Sequence, residues 1–150
     1  LGGWQTNGIL VAQAGRPFTV TSGQDRALSG TGTQRPDLIG DPKLDPGRSR
    51  DALMAMYFDP SKFVQPALGT YGNGGRNLLI GPGNWNLDFG LFKRFRIREG
   101  WQLQYRWEMF NAFNHANLNN PRSNINAVRP GQIDTTSGPR IMQMGLRLAF

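Results

Sequence analysis

The segment Pro139–Phe150 places Met142, Met144, Leu146, Leu148 and Phe150 at every second position, with Ile141, Gln143, Gly145, Arg147 and Ala149 between them. In a strand, successive side chains leave opposite faces, so this spacing collects an unbroken apolar row on one side and a mixed, partly charged row on the other. A helix would scatter the same methionines and leucines around its circumference. The pattern predicts a strand over about 139–150 with an apolar medium on one face and water on the other, as in a spanning β-barrel.

The same period recurs upstream. Over 101–114, Trp101, Leu103, Tyr105, Trp107, Met109 and Phe113 alternate with Gln102, Gln104, Arg106, Glu108, Ala112 and Asn114, with Phe110 and Asn111 out of phase. Over 84–97, Trp85, Leu87, Phe89, Leu91, Phe95 and Ile97 oppose Asn86, Asp88, Gly90, Arg94 and Arg96, with Phe92 and Lys93 exchanged. Arg98-Glu99-Gly100 joins these two segments and suits a tight hairpin whose glycine takes a left-handed conformation. A fourth, less regular strand is expected over about 4–21, bent or bulged at Ala14-Gly-Arg-Pro17. The expected fold is all-β, an antiparallel up-and-down meander of about four strands.

Between the strands lie connections of very unequal length. The turn at Arg98–Gly100 is short, whereas about 23–83 and about 115–138 are rich in Gly, Pro, Asn and Asp and read as loops. Long, short, long is the alternation that a barrel meander produces, with short periplasmic turns and long extracellular loops. A compact soluble domain rarely carries such connections. On this topology Trp4, Trp101 and Phe150 fall at the periplasmic interface and Trp85 and Phe113 at the opposite rim, giving two aromatic girdles. The competing reading is a soluble β-sandwich that binds or adheres through its aromatics.

Composition is compatible with either reading. The 150 residues are 38% hydrophobic and 18% charged, and the mean hydropathy is −0.47. Barrel strands expose apolar residues only at alternate positions, so a negative mean does not argue against lipid. No run approaches the ~20 apolar residues of a spanning helix, which leaves a closed barrel as the only way across a bilayer. There are no cysteines, hence no disulfide framework and no thiolate zinc site. The net charge of +7 is spread in ones and twos along the chain, without an aromatic-basic groove or a helix-turn-helix, so a nucleic-acid partner is not expected. Leu1-Gly-Gly-Trp4 lacks an initiator Met and the marks of a signal peptide, so an exported precursor is expected to supply more chain upstream.

Several stretches resemble a known family. The run Asn77-Leu-Leu-Ile-Gly-Pro-Gly-Asn-Trp-Asn-Leu-Asp-Phe-Gly-Leu-Phe-Lys-Arg-Phe95, the run Trp107-Glu-Met-Phe-Asn-Ala-Phe-Asn-His115 and the closing Phe150 resemble the C-terminal barrel of TonB-dependent outer-membrane receptors. The nearest likeness is to the Oar type with a carboxypeptidase-regulatory-like N-terminal domain. Gly3-Trp-Gln5 with Ala14-Gly-Arg-Pro-Phe-Thr-Val20 resembles a strand leading into that family's Gly-x-Pro-Phe turn. Tyr57-Phe-Asp-Pro-Ser-Lys-Phe63 and Gly69-Thr-Tyr-Gly-Asn-Gly-Gly-Arg-Asn77 resemble an extracellular loop. The resemblance implies a bacterial outer-membrane receptor and transporter with a 22-stranded barrel, of which this chain is the C-terminal part. It further implies an N-terminal plug, energy from the TonB complex, surrounding outer-membrane lipid, and recognition of the Phe150 strand by the barrel-assembly machinery.

No catalytic constellation and no cofactor site is legible. His115 is the one histidine and lies in an Asn-rich segment, where a loop-capping role fits better than a Ser/His/Asp triad. Asp37, Asp41 and Asp45 recur every four residues, but calcium-loop spacing is absent and solvated loop aspartates are the default. Gly72-Asn-Gly-Gly-Arg-Asn77 lacks the Lys-Ser/Thr of a phosphate loop and reads as turn chemistry. The candidate functional residues are the charges expected to face a barrel lumen, Asp88, Arg94, Arg96, Arg106, Glu108 and Arg147. Opposite charges among them would partly compensate in a ladder that contacts a plug.

Overall fold

A computed structural model describes residues 2–150. In chain order it contains β1 (Trp4–Gln13), β2 (Pro17–Phe18), β3 (Asp37–Leu38), α1 (Arg50–Ala55), a 3₁₀ turn (Pro60–Lys62), β4 (Phe63–Val64), β5 (Leu79–Ile80), β6 (Asn84–Arg98), β7 (Trp101–Phe110) and β8 (Ile141–Ala149). Two compact units result among the described residues, one formed by 2–13, 84–117 and 137–150, the other by 14–83 and 118–136.

The first unit is one four-stranded sheet in the order β1-β6-β7-β8, antiparallel throughout. These are the four long strands expected, with different ends. β6 and β7 meet in a two-residue turn, Glu99–Gly100, where Gly100 takes φ 79, a value that L side chains adopt poorly. The register slips between Arg96 and Arg98, a bulge that fits the twist of the hairpin. At the other end of the sheet β1 leaves at Gln13, paired with Asn84, and β7 leaves at Phe110, paired with Ile141. Both long connections therefore depart from the end opposite the tight turn.

The first strand was expected to run over 4–21, but β1 stops at Gln13. The chain is diverted where Gly15 passes so close to Gly81 that a Cβ would lie 1.7 Å from the Gly81 carbonyl oxygen. Pro17, without an N–H, begins a separate two-residue pairing with Ile80. The strand expected over 101–114 ends at Phe110, because Asn111 turns to φ 55. Its N–H is taken by Asp88 Oδ1 at 3.0 Å, and the Ala112 N–H goes to the Leu87 carbonyl at 2.7 Å.

Residues read as loop from sequence make up most of the second unit, which is ordered around a core of its own. Phe18, Val20, Phe58, Phe63 and Leu79 are buried together, with Leu38, Tyr57, Leu78 and Ile125 packed against them. Phe58 is 1% exposed. Its ring meets Phe63 edge-on at 5.8 Å and Phe18 at 6.0 Å, geometries favoured by the aromatic quadrupole. Two-residue pairings, β2 with β5 and β3 with β4, and a parallel bridge from Thr21 to Asn124 tie the segments. Ser49 caps α1, its hydroxyl accepting the Ala52 N–H at 3.3 Å.

Candidate functional site

Register sorts the long strands into two faces, since residues paired across an antiparallel ladder share a side. One face carries the rows Thr6–Leu91–Trp107–Met144, Trp4–Lys93–Tyr105–Leu146 and Phe95–Leu103–Leu148. The opposite face carries Asn7–Gly90–Glu108–Gln143, Gln5–Phe92–Arg106–Gly145 and Arg94–Gln104–Arg147. A single slip of register would exchange these sets, so the period of two in sequence and the pairing in space support each other.

Among the described residues of the first unit, none covers the apolar face. Leu10, Met144 and Leu146 are 67%, 69% and 72% exposed, and every residue of β1 and β8 is exposed. A β-sandwich buries the facing side chains of two sheets in a shared core, and this sheet has no such core. Apolar surface of this extent needs a medium other than water. No helix among the described residues is long and apolar enough to cross a membrane.

Aromatic residues mark both ends of the apolar face. Trp101 stacks on Phe150 at 5.3 Å, with the Arg98 guanidinium 4.6 Å from the Trp101 ring centre. Trp4 shares its row with Lys93, whose ammonium lies 4.8 Å from the Trp4 ring and 5.4 Å from Phe95, and donates to the Gly2 carbonyl at 2.7 Å. At the far end Trp85 lies 5.6 Å from Phe113 and stacks on His115 at 4.5 Å. His115 donates its backbone N–H to Asn111 Oδ1 at 2.9 Å and accepts from Asn111 Nδ2 at 3.0 Å.

All six charges expected to share a face do so, but they divide into three groups. Glu108 is held by Arg106 at 3.0 Å and by Gln143 Nε2 at 2.8 Å, and the Arg106 guanidinium lies 5.6 Å from the Phe92 ring. Asp88 does not join a charge ladder. It accepts from Asn86 Nδ2 at 2.7 Å as well as from the Asn111 N–H, and so pins the end of β7. Arg94, Arg96 and Arg147 form the third group and, among the described residues, enter no ion pair. Gln143 and Asn117 are not singled out by the sequence, and Phe92 only as a break in the alternation. Asn117 brackets Trp85 like a neighbouring strand, accepting its N–H at 2.9 Å and donating to its carbonyl at 2.8 Å.

In the second unit the polar residues close turns. Asp37 accepts from the Asn73 N–H, Asp41 from Lys43 and Asp45 from Gly47, at 2.8–3.0 Å. Among the described residues no group of three or more His, Asp or Glu is placed to hold a metal ion. Within the glycine-rich 72–77 segment, Asn73 Oδ1 accepts the Leu38 N–H and Asn77 donates its N–H to Thr19 Oγ1. Asp25 is a knot of the same kind. The Ser29 N–H, the Gly30 N–H, Gln34 Nε2 and the Ser29 hydroxyl all bond to its carboxylate and hold it below the usual 3.8.

Among curated proteins and among solved structures, no significant match is found. A family model described as an outer membrane beta barrel domain matches residues 1–143. That match covers nearly the whole chain and agrees with a two-faced antiparallel sheet whose apolar face lies bare, so the chain belongs to the outer membrane beta barrel domain family and resides in the bacterial outer membrane.

Proposed function

We propose that this chain is barrel wall from a TonB-dependent receptor of the Oar type, a non-enzymatic transporter that captures a solute outside the cell and passes it inward. The observation that carries the proposal is the uncovered four-stranded sheet with two open edges, β1 and β8. Unpaired strand edges are costly in hydrocarbon. Four strands are too few to close a barrel, whose smallest spanning form has about eight, so further strands must pair with both edges. The motifs at Asn77–Phe95 and Trp107–His115 point to the large plugged receptors as the source of those strands.

On this reading the apolar face contacts outer-membrane lipid and the polar face lines a lumen that holds the plug. The strand ending at Phe150 is the signal for the barrel-assembly machinery. The two long connections lie outside the cell, where an ordered unit gives a solute a defined surface to meet.

The test uses the intact protein, extracted from the outer membrane and reconstituted in a planar bilayer. A plugged receptor passes no steady current until the plug is unfolded by urea, and it binds the purified periplasmic domain of TonB. A permanently open conductance with no TonB binding would identify an open pore and overturn the proposal.

A further inference from the structure

Charge on the polar face is unevenly distributed along the strands. Both acids, Asp88 and Glu108, lie toward the end with the long connections and are already hydrogen-bonded. Toward the tight turn lie Arg94, Arg96 and Arg147, none of which enters an ion pair among the described residues. Arg94 and Arg147 share a row through Gln104, and Arg96 follows in the next row beside Gln102. Two strand spacings separate the first pair by about 9–10 Å, and one strand repeat separates Arg94 from Arg96 by about 7 Å.

These side chains wall two adjoining clefts. One, of about 550 Å³, is lined by Gly2, Gly3, Arg94, Arg96 and Gln102. The other, of about 260 Å³, is lined by Arg94, Gln102, Gln104, Arg147 and Ala149. The backbone floor beside them is tightly set: the Arg94 N–H donates to the Gly3 carbonyl at 2.8 Å, and a Cβ on Gly3, whose φ is 86, would lie 2.6 Å from the Arg94 carbonyl oxygen.

We infer that an acidic polypeptide segment seats against Arg94, Arg96 and Arg147. Three guanidinium groups held together inside a barrel repel one another unless anions neutralise them. One carboxylate engages one guanidinium fork, whereas a segment that carries several carboxylates can meet all three arginines. An extended segment carries carboxylates at alternate residues about 7 Å apart, the spacing from Arg94 to Arg96. Gln102 and Gln104 supply amide donors and acceptors suited to peptide groups, which a bare ion does not use. The inference rests on the proposed enclosure of the polar face in a lumen, and it adds the chemistry of what fills the lumen there.

The experiment places a photo-crosslinking amino acid at Gln104 and, separately, at Met144 in the intact protein within its native outer membrane. Heat-modifiable gel mobility is used to confirm assembly. Gln104 is expected to capture a peptide rich in Asp and Glu, and Met144 to capture lipid. Combining Arg94→Glu, Arg96→Glu and Arg147→Glu should cut the Gln104 peptide adduct by at least about fivefold, the size expected from three like-charge contacts. If that variant does not assemble, the matching Arg→Gln set should show the same loss in direction. A Gln104 adduct to a peptide without acidic residues, an adduct indifferent to the arginines, or no peptide adduct would overturn the inference while leaving the barrel intact. Lipid adducts at Gln104 would instead overturn the assignment of the faces, and the inference with it.

Discussion

Phe92 and Lys93 show how little a single residue's preference weighs against register. Each stands on the face that its hydrophobicity argues against, and moving both would have required a break in the β6–β7 register, which runs unshifted from Phe89 to Arg96. Phe92 is accommodated on the polar face beside the Arg106 guanidinium, and Lys93 lies between Trp4 and Phe95 with its ammonium on the Gly2 carbonyl. A long alkyl stem that carries its charge to an aromatic girdle reduces the cost of a cation on a lipid-facing surface. Met144, in the middle of β8, offers no such escape. Met144→Arg should therefore destabilise the barrel by about 2–4 kcal/mol, whereas Gln143→Arg, on the lumen side and facing Glu108, should change it little. Urea unfolding of the two variants in lipid vesicles measures the difference, and equal costs would contradict the face assignment.

Asp25 supports a prediction of the opposite kind, set by pH. Its carboxyl sits below the usual 3.8 because the Ser29 N–H, then the Gly30 N–H, Gln34 and the Ser29 hydroxyl, favour the charged form. A depressed folded pKa contributes stability that is fully present above the unfolded value and is lost as pH falls through the folded one. Protease cleavage within 23–34 should accordingly rise as the pH is taken from 7 to below the normal carboxylate range. Asp25→Asn should already be cleaved more readily at pH 7 and should lack the acid step.

At the scale of elements, the parts legible in sequence were those with a short period. The four long strands and the Glu99–Gly100 turn follow from alternation and from one glycine. Strand ends were missed because tertiary hydrogen bonds decide them: Asp88 reaching Asn111 stops β7, and the Gly15–Gly81 approach stops β1. The second unit was missed altogether. Its core residues, Phe18, Val20, Phe58, Phe63 and Leu79, stand singly and far apart among Gly, Pro and Asp, and no window of the chain shows them as a face. Phe58→Ala removes the ring at the centre of that core and should cost the unit about 3–5 kcal/mol, read as rapid proteolysis between 14 and 83. Gly15→Ala, forced against the Gly81 carbonyl, should loosen the same segment without changing the faces of the sheet. If limited proteolysis cuts the unsubstituted protein as readily as the Phe58→Ala variant, the long connections are not an ordered unit.

For the whole molecule, the family match and the bare apolar face place the chain in the outer membrane, and the open edges at β1 and β8 require neighbouring strands to complete a barrel. Of the candidate site, the shared face of the six charges was legible, because parity alone decides it. Their partition into a pinned Asp88, a paired Arg106–Glu108 and three arginines outside any ion pair among the described residues was not, because it depends on Asn111, Gln143 and the cross-strand register. The central claim, that this sheet separates lipid from an aqueous lumen, is tested most directly by spin labels placed one at a time along β7 of the intact protein in bilayers. Positions 103, 105, 107 and 109 should be relaxed by oxygen dissolved in lipid, and positions 102, 104, 106 and 108 by a water-soluble nickel chelate, in strict alternation. Equal access of both relaxants along the strand, or alternation in the opposite phase, would contradict it.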